Sequence, residues 1–452
     1  MHGSDSSTAR RLRQRAHGKC GWLALGCALL LACGHDGQDP LLDGQGPAVL
    51  PVDASIDWPS DAAAAPPRQA EAGTKPAAAG TLVDAGAPSR DVDGSQGAAV
   101  PGTDAGSIAA SAGDDSGAAV ALEGGIAAGD GDLWIAPDGD DGSTGTQASP
   151  LRSLALAAER VAPGATVWIS GGTYRETQTV PLKRNGEDGR PIRLFAAPGA
   201  RPVFDFSAQT QGDGAARGFS ISGTYFHLRG FEVTKAGDNC IHISGSHNTV
   251  ENLVIHACGD SGLQITANSS DAADPTRAAH NTVLNTDSYA NYDAANQGEN
   301  ADGFAAKLYI GPGNVFRGCR AWNNADDGWD LFAADDAVTI EHCWAIANGK
   351  IGPGQNNTNG DGNGFKLGGA AKAGDSNMGG AVHKVTNCIS VENVACGYTR
   401  NNNTLMPALS MCGGRGDGKG LLCSLSSQGS PAVTMSAAQG IAVQRGPGGE
   451  LP

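Results

Sequence analysis

The sequence predicts an all-β solenoid, and three observations carry that prediction. Gly supplies 67 of 452 residues, about twice its ordinary share. Such a chain is dense in turns and poor in helix formers. Charged residues make up 17%, which excludes a coiled coil or a charged helical bundle. The second observation is a repeat. Five segments align on a Gly followed by a bulky residue: Gly262-Leu263, Gly303-Phe304, Gly328-Trp329, Gly364-Phe365 and Gly397-Tyr398, with Cys240-Ile241 as a sixth. Steps of 22 and 25 residues separate Cys240 from Gly262 and Gly303 from Gly328. The third is a pair of further columns, Thr286, Cys319, Cys343, Cys388 and, five residues later, Asn291, Asn324, Asn348, Asn393. Like residues at a constant step are what stacked coils require. The Cys column reads as inward-facing small apolar residues. The Asn column reads as a turn ladder whose residues tolerate the left-handed conformation. The net charge of −16 makes a poor nucleic-acid partner.

The elements follow in chain order. Arg10, Arg11, Arg13, Arg15 and Lys19 precede an apolar run from Trp22 to Ala32. That run is shorter than the ~20 residues a bilayer span needs, so residues 1–32 read as a secretory signal. Leu30-Leu31-Ala32-Cys33-Gly34 resembles a bacterial lipobox. The resemblance implies cleavage before Cys33, lipidation of its thiol and a secreted or cell-surface protein of the bacterial envelope. Residues 33–130 are rich in Ala, Gly, Pro and Asp. They bury too little apolar surface to offset their ordering entropy and read as a disordered tether. The folded part is placed at 131–404. It opens with the strand-like Leu133-Trp134-Ile135, a Gly/Asp loop, an amphipathic capping helix over Ser153–Val161, then Thr166–Ser170 and Gly171-Gly172-Thr173-Tyr174. This order resembles the opening of secreted right-handed parallel β-helices. Of 11 cysteines, none forms a CxxC pair with zinc-ligand spacing. Cys240, Cys258 and Cys396 are disulfide candidates that the sequence does not pair.

Alternation along a strand then sorts the site. If the bulky residue after each Gly points inward, the next faces out, which gives the column His242, Gln264, Ala305, Asp330, Lys366, Thr399. Asp302 stacks under Asp327, while Asp326 and Asp330 share the outer face of one coil. With coils about 4.8 Å apart, four carboxylates this close repel one another and raise their own pKa values. A hard divalent cation relieves the repulsion, and oxygen-only ligation suits Ca²⁺. Spacing leaves open whether that Ca²⁺ is structural or catalytic. It also leaves two readings of Lys366: a salt bridge on a solvated face, or a base whose pKa a neighbouring cation lowers.

The blocks Asn300-Ala301-Asp302-Gly303-Phe304, Gly311 to Cys319, Trp322 to Phe332 and Asn363-Gly364-Phe365-Lys366-Leu367-Gly368-Gly369 closely resemble the family 9 polysaccharide lyases. These are secreted pectate lyases on a right-handed parallel β-helix. The resemblance spans about residues 133–404. It implies that Asp302, Asp326, Asp327 and Asp330 hold the catalytic calcium and that Lys366 abstracts the C5 proton of polygalacturonate in a β-elimination. An alkaline optimum follows from such a base. The other readings are another uronan lyase or an epimerase, and a non-catalytic β-helix that binds calcium or glycans. A hydrolase is disfavoured, because it needs an acid and a base carboxylate rather than a lysine.

Around this site His242 reads as a plain surface histidine and Asp361 as a turn residue. Arg317 and Arg320 are given no role, and Tyr289, Tyr292 and Asp293 read as an exposed groove wall. The chain is read as a monomer. From Leu405 to Pro452 no Cys or Asn column and no alternating strand is evident. That stretch reads as an aberrant, disordered tail of the kind a frameshift leaves, one that impairs activity by ending the solenoid barely one coil past Lys366.

Overall fold

Alternating short strands and tight turns bend the chain through three corners per coil, so that each coil adds one strand to each of three sheets. The computed structural model describes residues 129, 131–271, 273–352, 354–369 and 380–452. The signal segment, Cys33 and nearly all of the tether lie outside these. Among the described residues the three sheets hold eleven, nine and nine strands, and every strand pair within them is parallel. The all-β expectation holds, with the short helix Leu154–Arg160 at the N-terminal end. Ser153 caps it, its Oγ accepting the Leu156 N–H at 3.3 Å.

Inward columns make the core. On the sheet that carries the site, Ile241, Leu263, Phe304, Trp329, Phe365 and Tyr398 follow one another in register, and all are fully buried. Phe304, Trp329, Phe365 and Tyr398 form a continuous ring stack, with centroids 5.0, 4.8 and 4.8 Å apart. Thr286, Cys319, Cys343 and Cys388 are buried as predicted. The Asn column is a hydrogen-bonded ladder. Asn291 Nδ2 donates to Asn324 Oδ1, Asn324 to Asn348 and Asn348 to Asn393, at 2.8, 2.9 and 2.9 Å. The left-handed residues are not these asparagines, however. They are Ala290, Asn323, Ala347 and Glu392, each one position earlier, with φ of 53°, 53°, 52° and 54°. That turn points the next side chain inward, where it serves the ladder. A second ladder, Asn248–Asn281–Asn314, runs along another corner.

The C-terminal reading is corrected. Ala408–Ser410, Gly413–Arg415, Gly420–Cys423 and Ser427–Gln428 continue the three sheets. The columns continue through substitutions. Cys412 is buried after Cys388, Leu422 pairs with Tyr398, and Asp417 Oδ1 accepts the Asn393 Nδ2 at 2.9 Å. A carboxylate accepts but donates nothing when ionised, so the ladder stops at Asp417. Beyond it the chain turns back along the solenoid. The helix Ala437–Ala442 packs with Val433, Met435, Ile441 and Val443 against Trp322, Trp344, Ile346 and Val391. Disulfides join Cys240 to Cys258 and Cys396 to Cys423.

Candidate functional site

Three neighbouring coils build the site, and register places its members. Ala305 pairs with Asp330, and Asp330 pairs with Lys366. The Gly303 N–H bonds the Asp327 carbonyl at 2.9 Å, and the Asp327 N–H bonds Asp302 Oδ1 at 3.2 Å, which stacks the two acids as expected. Glycine is required at 303 and 328. A Cβ there would lie 2.5 Å from the Ala321 Cβ and from the Gly364 carbonyl oxygen, respectively.

Asp302, Asp326 and Asp327 each present a carboxylate oxygen within 4.8 Å of the others. Backbone and side-chain donors aim them. Asp302 Oδ2 accepts Ser261 Oγ at 3.0 Å. Asp326 accepts the Asp361 and Asn300 N–H groups at 2.5 and 3.0 Å. Asp327 Oδ1 accepts the Asn363 N–H and Nδ2 at 2.6 and 3.0 Å. Asp327 Oδ2 is buried and has no hydrogen bond, although the Lys366 ammonium stands 3.2 Å away. A buried carboxylate oxygen left without a donor, beside two more oriented carboxylates, fits an oxygen-seeking divalent cation.

Asp330 stands apart from that trio. Its Oδ2 is 3.2 Å from Lys307 Nζ and its Oδ1 3.6 Å from Lys366 Nζ, while the Phe332 N–H bonds Oδ1 at 2.9 Å. Lys366 also meets Asp361 Oδ2 at 3.0 Å, so Asp361 contributes more than a turn. Lys366 is 7% exposed, which excludes the solvated-face reading. Lys307 was not foreseen. It lies four residues after Gly303, two past Ala305 on the same face, and the signal for it was the outward column followed one step further along the strand.

The charges set each other. Burial pushes Asp302 and Asp327 well above the ordinary carboxylate range, and Asp326 upward too; neighbouring acids add to this. Asp330 departs from the expected rise. Burial opposes its ionisation, but Lys366 and Lys307 outweigh burial and lower its pKa. Burial likewise opposes the charge on Lys366, and Asp330, Asp327, Asp326 and Asp302 together outweigh it, so the amine is held protonated well above its ordinary range.

Other expectations around the site change. His242 is 3% exposed, not a surface histidine; its Nδ1 lies 3.3 Å from Arg217 Nη1. Arg320 is buried, pairs with Asp287 at 2.8 Å and holds the carbonyls of Gly440, Ile441 and Val443. Arg317 pairs with Glu341. Tyr289 stacks between His256 and Trp322, and Asp293 is buried against Asn296, so neither is an exposed groove wall.

The family model for a Pel9A-like right-handed beta helix region matches residues 133–415. A pectate lyase L of Dickeya dadantii is 39% identical over 277 residues, 60% of this chain and 61% of that protein. A pectate lyase L of Paenibacillus polymyxa is 41% identical over 280 residues, 60% of each. The chain thus spans about three-fifths of the length of these relatives. The crystal structure of pectate lyase Pel9A superposes with a TM-score of 0.59 at 32% identity, covering 71% of this chain and 87% of that one. With the coil register, the stacked Gly-aromatic strands and the match over 133–415, this chain belongs to the Pel9A-like right-handed β-helix family.

Proposed function

We propose that the protein is a calcium-dependent pectate lyase that cleaves polygalacturonate by β-elimination. The observation that carries this reading is the placement of a buried amine, Lys366, 3.2 Å from Asp327 and 3.6 Å from Asp330, beside three oriented carboxylates. The relatives named pectate lyase supply the substrate class. Asp302, Asp326 and Asp327 form the core of the calcium site, with Asp330 at its edge. When bound, calcium supplies Lewis-acid stabilisation for the negative charge that develops on the uronate.

The chain's own residues supply the rest. Lys366 takes the C5 proton as general base; the electron pair left on C5 forms the C4–C5 double bond as the C4–O bond breaks. The leaving oxygen departs with the other chain, taking up a proton from solvent, and an unsaturated uronosyl end remains. Asp327, Asp330 and Asp361 fix the direction of the amine. Because those same acids hold it protonated, Lys366 becomes a base only when the carboxylates are engaged by another cation. Calcium dependence therefore belongs to the base as well as to substrate binding. Secretion, a lipid anchor at Cys33 and a monomeric state complete the reading.

The test is ultraviolet absorbance of the unsaturated product on polygalacturonate, with and without chelator. A rise abolished by chelator is expected. Reducing sugar released without absorbance means hydrolysis, and neither signal leaves a binding protein; both overturn the proposal.

A further inference from the structure

The site contains two ammonium groups, and the elimination uses one. Lys307 follows the strand Phe304–Ala306, two residues past Ala305, which pairs with Asp330 on the next coil. Its Nζ lies 3.2 Å from Asp302 Oδ2 and 3.2 Å from Asp330 Oδ2. Those acids sit on adjacent coils, so the ammonium bridges one coil to the next. The side chain is 11% exposed. Lys366 differs, since one of its three partners, Asp361, has a side chain 58% exposed.

We propose that Lys307 is a fixed internal counter-ion, a positioning residue that holds Asp302 and Asp330 by their Oδ2 atoms and limits the centre to one divalent cation. The inference rests on the calcium reading above. Two carboxylate oxygens equidistant from one point, on neighbouring coils and shielded from water, form a pair that a hard cation would otherwise occupy. Lys307 fills that point with a covalently tethered single charge. The remaining inward faces of Asp302, Asp326 and Asp327 then define a single place for an ion. Lys307 also holds Asp330 by Oδ2, with Oδ1 toward Lys366.

Equilibrium dialysis of the full chain against calcium alone tests this. Site ions are counted as those lost when Asp302→Asn is added, because Asp302 borders both places; this removes weaker calcium sites of this acidic chain from the count. The wild-type chain is expected to hold one site ion, Lys307→Met two and Lys307→Arg one. Circular dichroism checks that each variant folds. If Lys307→Met does not fold, Lys307→Gln, which keeps a donor without the charge, carries the same expectation of two. One ion in the folded uncharged variant overturns the inference, as do two ions in the wild type or in Lys307→Arg. No site ion in the wild-type chain overturns the calcium reading itself, so the two failures are distinguishable.

Discussion

At Lys366, position and protonation pull in opposite directions. Register places its amine against Asp330, yet Asp330, Asp327, Asp326 and Asp302 hold it charged. Activity is therefore expected to rise with pH toward the alkaline side, since the base works only when it has lost its proton. Turnover in saturating calcium, measured across pH, checks the sign; a rate that falls from neutral to alkaline pH removes Lys366 as the base. Lys366→Ala is expected to lower turnover by about 10²–10⁴-fold while calcium binding by titration calorimetry is kept. Lys366 was legible because alternation and a Gly-aromatic repeat fix parity. Lys307 shares the outward parity one step past Ala305, but its contact with Asp330 on the next coil depends on how coils stack, and only the folded chain shows it.

The asparagine ladder is the element that holds coil to coil. Asn348 accepts from Asn324, donates to Asn393 and to the Ala321 carbonyl, and is fully buried. Replacing it with Ala takes the acceptor from the buried Asn324 N–H and one hydrogen bond each from Asn324 Nδ2 and Asn393 Oδ1, which keep the Ser288 carbonyl and the residue-348 N–H, at a cost of about 1–3 kcal/mol for a buried group left unsatisfied. Asn348→Ala is expected to lower the urea midpoint by an amount in that range, with far-ultraviolet dichroism unchanged in the folded state. An unchanged midpoint would mean that the ladder contributes no net stability. The column itself was visible in the sequence. Its geometry was not, since the left-handed turn falls on Ala290, Asn323, Ala347 and Glu392 rather than on the asparagines.

Two buried imidazoles tie the stability of the whole solenoid to pH. Burial pulls His383 from 6.5 to about 4; burial, then Arg217, pulls His242 from 6.5 to about 3. His383 Nδ1 accepts the Val338 N–H at 3.2 Å, which requires the neutral ring. Below about pH 6.5 the unfolded chain binds protons that the folded chain refuses, so stability is complete above that pH and falls as pH drops toward the folded-state values. Each site contributes a slope of up to about 1.4 kcal/mol per pH unit. The urea midpoint is expected to be lower near about pH 5 than near about pH 7, and His383→Asn should reduce the difference. An equal drop in that variant would assign the effect elsewhere. At this scale the last residues matter too: Arg320 and Arg445 both pair with Asp287 and clamp the returning C-terminal segment onto Trp322 and Trp344.

Local rules dictated the coil. A Gly that admits a close neighbour, a ring that stacks on the next ring, and strict alternation are read from adjacent residues, and they placed Asp302, Asp327, Asp330 and Lys366 together. The C-terminal coil escaped because its replacements are legible only in partners. Asp417 does the accepting half of an asparagine's task once Asn393 is beside it, and Leu422 stands in an aromatic column once Tyr398 is its neighbour. The state of the charges was likewise settled in three dimensions, because burial and the sum of several charges far apart in sequence decide which groups keep their protons.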